Sequence, residues 1–115
     1  MVKLKDRVQL AEALEPVEGA TYEITGVDEV TTIVRGFKGI RVTMKSTNPK
    51  DKKQYATMLW FREVAGAQSK LGAFIRAFKE FFGDEEQALD TDNWIGHTIR
   101  FISWKPRNRE VVVVE

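Results

Sequence analysis

Apolar and polar positions change their spacing several times along the chain, and each change marks an element. Tyr22 and Ile24 alternate with Thr21, Glu23 and Thr25, the two-residue period of a half-buried strand. Gly26 interrupts that pattern and predicts a bulge or bend, and the strand resumes through Val30, Thr32 and Val34. Glycines at 36 and 39 break it. "IRVTMK" then alternates cleanly, with Ile40, Val42 and Met44 on one side and Arg41, Thr43 and Lys45 on the other. "STNPKDKKQ" is a turn-rich polar loop. "YATMLWFRE" is a third strand, apolar on both sides in its middle, so two facings compete for the core.

The period lengthens after Ser69. Leu71, Phe74, Ile75, Phe78 and Phe82 fall on one stripe of a helix, with Ser69 placed to cap its start and Gly83 to end it. An acidic connection runs to Asn93. "WIGHTIRFISW" and "EVVVVE" are two more strands, joined by a hairpin tip. Ahead of the first strand, Asp6–Glu15 predicts a short helix, capped by Asp6 and stopped by Pro16.

The order is helix, three strands, helix, two strands. Consecutive strands tend to pair, and five short strands with a helix between the third and fourth predict a closed or nearly closed barrel. The expected fold class is an all-β barrel with one capping helix, the OB-fold, over residues 19–115, preceded by an N-terminal helical extension over 1–18. A ferredoxin-like fold needs a helix between the first two strands. An SH3-like barrel lacks the long amphipathic helix.

Composition narrows the chemistry. The 115 residues contain no cysteine, which excludes disulfides, thiolate metal sites and cysteine nucleophiles. No apolar run approaches a membrane span, and the charged "MVKLKDRVQLAEALEP" lacks a signal peptide's apolar core. A cytoplasmic protein with no membrane partner is the expectation. The formal net charge is +1, which taken alone argues against a polyanion-binding protein. The distribution argues otherwise. Arg35 to Lys53 holds seven cations against one acid, and His97 to Arg109 holds four cations and no acid. Glu80 to Asp92 holds six acids and no cation, so the chain is neutral by cancellation.

With "SKLGAFIRAF" after the third strand and "WIGHTIRF" entering the fourth, the chain resembles the small OB-fold single-stranded-DNA-binding proteins of archaea and phages over about residues 19–115. It is also similar to small phage proteins of replication and recombination modules that share the phrasing of helix, acidic linker and glycine before a strand. The resemblance implies an OB-fold that binds single strands, with proteins of replication or repair as partners. It supplies no catalytic residues.

OB-folds bind oligonucleotides across strands 2 and 3, between the loops joining strands 1–2 and 4–5. The first loop holds Arg35, Phe37 and Lys38, and the last holds Trp104, Lys105, Arg107 and Arg109. Strand 2 offers Arg41 and Lys45, the 2–3 loop adds Lys50, Lys52 and Lys53, and strand 3 adds Trp60. Cations that follow phosphates and aromatics that stack on bases are how nonspecific single-strand binders work. Each aromatic has a plainer alternative. Trp60 belongs to the core if Leu59 faces out, Phe37 is a lid on the barrel, and Trp104 packs on the outside of the barrel.

Enzyme chemistry finds little support. His97 is the single histidine, no second ligand or nucleophile is arranged around it, and "GFKG" lacks the phosphate-loop pattern. No metal or cofactor is expected. The expected function is noncatalytic binding of single strands, DNA ahead of RNA, with low sequence specificity. Its rivals are a protein-interaction module and an RNA- or tRNA-binding surface.

Overall fold

The computed structural model describes residues 13–31, 36, 38–61 and 69–115. Five strands, β1 (Thr21–Thr31), β2 (Lys38–Ser46), β3 (Gln54–Trp60), β4 (Thr98–Lys105) and β5 (Asn108–Val113), form one antiparallel sheet in the order β3-β2-β1-β4-β5. Between β3 and β4 lie the helix α1 (Lys70–Phe82), a short helix α2 (Glu85–Leu89) and a 3-10 turn at Thr91–Asn93. No described helix is long and apolar enough to cross a membrane.

The interruption at Gly26 is a bulge. The pairing of β1 with β2 shifts between Ile24 and Gly26, so Ile24 lies opposite Met44 while Val27 lies opposite Val42. One extra residue reverses which side faces the core. Tyr22 and Ile24 point inward before the bulge, Val27 packs on the core after it, and Asp28 is exposed. The bend also lets β1 pair with β2 along its length and with β4 through Thr21–Glu23.

The facing of β3 is settled as well. Tyr55, Thr57 and Leu59 are buried, and Trp60 is 37% exposed. α1 follows its sequence pattern. Ser69 accepts a hydrogen bond from the Gly72 N–H, and Gly83 closes the helix at φ 69°, donating its N–H to Lys79 O. Phe74 and Phe78 are fully buried, and Leu71, Ile75 and Phe82 pack around them. The acidic connection is more ordered than a loop because Trp94 anchors it. The Trp94 ring stacks on Phe78 at 5.0 Å, and its Nε1 donates to Ala88 O at 2.8 Å, so the polar edge of a buried indole is satisfied. The His97 ring sits edge-on to Phe78, Phe81 and Phe82, with Nδ1 3.0 Å from Glu115 O.

The expected closure of the barrel is incomplete. Among the described residues no ladder joins β3 to β5. Part of the seam is lined by the segment before β1. Leu14 makes a parallel bridge with Tyr55, donating its N–H to Gln54 O at 3.0 Å and accepting from the Ala56 N–H at 2.9 Å. Ala13–Glu15 are therefore not helical, and the expected N-terminal helix does not reach them; its remainder lies outside the described residues.

Candidate functional site

The outer face of β1–β2–β3 follows from the register. Asp28, Arg41 and Met58 form one row, Gly26, Thr43 and Ala56 the next, and Glu23, Lys45 and Gln54 a third. Beyond Arg41, Gly39 lies opposite Trp60. A Cβ on Gly39 would stand 2.5 Å from Leu59 O and 3.0 Å from Trp60 Cε3, so the indole lies directly over a backbone that has no side chain. A cross-strand aromatic covering a glycine in this way restores the contacts that the glycine lacks. It also keeps one large, partly exposed ring against the outer face.

Arg41, two residues along β2 from Gly39 on the same face, has its hydrogen-bonding capacity poorly used. Its guanidinium is 3.8 Å from Asp28, beyond hydrogen-bond length, and its buried Nε has no partner. Lys45 is more firmly engaged, with Nζ 3.1 Å from Glu23. Arg41 and Lys45 thus share their charge with carboxylates of β1. A polar cleft of about 740 Å³ opens at the far end of the face, lined by Thr25, Thr43, Lys45, Lys52 and Lys53 with Glu23. Lys38 is exposed at the start of β2. Arg35 and Phe37 lie outside the described residues.

The β4–β5 hairpin behaves differently. Trp104 is half-buried and edge-on to Phe101 at 4.7 Å and Phe74 at 5.9 Å, with the Arg109 guanidinium 4.8 Å from its ring centre. Its ring packs against the core below α1, and a cation stands over the ring that a base would need. Arg109 is held in turn, since its carbonyl accepts from Arg76 at 3.0 Å. Lys105 lies 3.9 Å from Glu18. Arg107, at the tip, has φ 69°. It follows Pro106 in a two-residue turn, where a positive φ ordinarily calls for glycine or asparagine.

Glu15 joins the two regions and carries no signal in the sequence pattern. Its Oε2 lies 3.2 Å from Thr57 Oγ1, 3.3 Å from Lys70 Nζ and 3.4 Å from Trp104 Nε1. β3, α1 and β4 therefore meet on one carboxylate oxygen across the open seam. Of the predicted site residues, Arg41, Lys45 and Trp60 share the β2–β3 face and Trp104 and Arg109 belong to the seam, while Lys38 stands exposed at the start of β2 and Lys105 and Arg107 at the end of the β4–β5 hairpin. Among the described residues, no group of three or more metal-ligating side chains converges. Compared with family models, curated proteins and solved structures, the chain matches none of them.

Proposed function

We propose that this chain is an OB-fold protein that binds single-stranded nucleic acid without catalysis, DNA ahead of RNA, and with little sequence preference. The strand order β3-β2-β1-β4-β5, with a helix between β3 and β4, supports the OB reading, in which β3 and β5 would face each other across the seam. The observation that carries the functional reading is Trp60 lying over Gly39, on the same face as Arg41. A ring fixed on an outer face offers a stacking platform at little ordering cost, and the Arg41 guanidinium has free capacity for a phosphate. Stacking accepts any base, which gives affinity without sequence readout.

Of the two tryptophans expected to stack, Trp60 carries the role alone in this reading, because the ring of Trp104 is engaged in packing. Arg107 supports the same reading. A left-handed arginine costs about 1–2 kcal/mol relative to glycine, and a cation at an exposed hairpin tip is suited to reach a phosphate.

Titration with oligo-dT, oligo-rU and duplex DNA, followed by tryptophan fluorescence, tests the proposal. Oligo-dT should bind ahead of duplex, with a log–log salt slope of about −0.7 per phosphate neutralised. Binding that ignores salt, or equal affinity for duplex, would overturn it. A protein-interaction module is the second reading, favoured by one observation. A cleft of about 340 Å³ is lined by Val27, Ile40, Leu71 and Ile75 and edged by the exposed Phe61 and Leu89.

A further inference from the structure

The contacts of Glu15 have the form of an anion site filled from within the chain. Thr57 is fully buried and is the one buried polar residue in the described core. Its hydroxyl, the Lys70 ammonium and the Trp104 indole N–H come from three different elements and converge on Oε2 of Glu15. A second cation, Arg109, stands over the same Trp104 ring. Lys70 opens α1, whose first turn carries no acidic residue of its own, so the positive end of the helix dipole adds to the attraction.

The fit of the carboxylate is loose. Its three contacts measure 3.2, 3.3 and 3.4 Å, against about 2.7–2.9 Å for well-formed charge-assisted bonds. A larger tetrahedral anion, with three oxygens to share among the donors, would meet them more closely. Glu15 is also free to leave. Its side chain is 55% exposed, and an ion pair with that much solvent holds weakly.

We propose that this seam pocket is a phosphate site, occupied by the Glu15 carboxylate in the free protein and taken by a backbone phosphate when a single strand binds. The inference rests on the single-strand reading for the identity of the ligand, but the pocket can be tested without it. Glu15 acts as an internal competitor: it satisfies the donors when no strand is present and weakens binding by having to be displaced. The strand would then run from Trp60 across β3 to the seam, so that Trp104, unable to stack, contributes its N–H instead.

The test compares the wild type, Glu15→Ala and Glu15→Ala/Lys70→Ala, with circular dichroism to confirm folding. Pyrophosphate, followed by tryptophan fluorescence, probes the pocket alone. Glu15→Ala should bind it roughly fivefold or more tightly than the wild type, and the double variant should lose the response. Oligo-dT should bind Glu15→Ala more tightly too, with a log–log salt slope steeper by about 0.7. If Glu15→Ala gives no saturable response to pyrophosphate, the phosphate site is wrong, whatever oligo-dT does. If it takes pyrophosphate while no form of the protein binds oligo-dT, the site stands and the single-strand reading falls. Should Glu15→Ala fail to fold, Glu15→Gln, which keeps an acceptor for Thr57 and Trp104 but removes the charge, carries the same comparison.

Discussion

Trp104 and Glu15, 89 residues apart in the chain, meet where the indole Nε1 points to the carboxylate at 3.4 Å. That contact ties the β4–β5 hairpin to the segment preceding β1, across a seam that no backbone ladder spans among the described residues. The edge-on packing of the same ring on Phe101 and Phe74 fixes it from the other side. Trp104→Ala should therefore be a stability variant. Full truncation of a buried tryptophan costs about 3–5 kcal/mol, and a half-buried ring should cost about 2–3 kcal/mol. Urea unfolding measures this. A cost below about 1 kcal/mol would mean that the packing contributes little.

Trp60 should behave in the opposite way. Its ring covers a glycine on the outer face rather than filling the core. Trp60→Ala should cost about 1 kcal/mol of stability at most, while lowering oligo-dT affinity about tenfold, the effect of one lost stacking platform. Gly39→Ala checks the geometry independently. The added methyl would meet Leu59 O at 2.5 Å and the indole at 3.0 Å, so stability should fall by about 1–3 kcal/mol, as in other overpacked sites. Native stability in Gly39→Ala would show that the ring does not lie over this residue.

Much of this arrangement is legible in the sequence. The stripe from Leu71 to Phe82, the alternation of β2 and the break at Gly26 each follow from local spacing, because helices and strands repeat over two to four residues. The facing of β3 is not legible in that way, since Leu59 and Trp60 are both large and apolar, and only their partners distinguish them. Trp104 is harder still. Its neighbours Lys105 and Arg107 are polar and suggest an exposed tip, yet the ring folds back on Phe74, thirty residues earlier, through a contact that no local period encodes. Glu15 is invisible for the same reason: its partners, Thr57, Lys70 and Trp104, are between 42 and 89 residues distant.

The tip of the hairpin supplies a third prediction. Arg107 holds φ 69° without a glycine's freedom. Relief of that strain is worth about 1–2 kcal/mol, offset by the larger unfolded-state entropy of glycine, about 0.5–1 kcal/mol. Arg107→Gly should then stabilise the protein by about 0.5–1 kcal/mol in urea unfolding. It should also weaken oligo-dT binding and make the salt slope shallower by about 0.7 if the guanidinium meets one phosphate. A more stable protein with unchanged affinity would remove Arg107 from the interface.

The last prediction concerns pH and the base of β3. Tyr55 donates its hydroxyl to Asp51 Oδ2 at 2.7 Å. Asp51 also accepts from the Lys53 N–H at 3.0 Å. The bond to the carboxylate, reinforced by burial, pushes the Tyr55 hydroxyl up from the ordinary 10.0 to about 12. The same bond from Tyr55, followed by the one from the Lys53 amide, lowers the Asp51 carboxyl. The signs give two windows. A tyrosine with a raised folded pKa contributes stability that is fully present below pH 10 and is lost as pH climbs towards about 12. An acid with a lowered folded pKa contributes stability present above its ordinary value of 3.8 and lost as pH falls below it. Tyr55→Phe removes the tyrosine contribution and the larger part of the Asp51 one, leaving the Lys53 amide bond in place, while keeping the ring against Tyr22, 4.7 Å away. Melting temperatures of the two proteins should differ most near neutral pH and converge towards both extremes. A difference that stays constant from pH 3 to pH 12 would show that the hydroxyl acts through packing alone, and that its bond to Asp51 does not hold the 2–3 loop in solution.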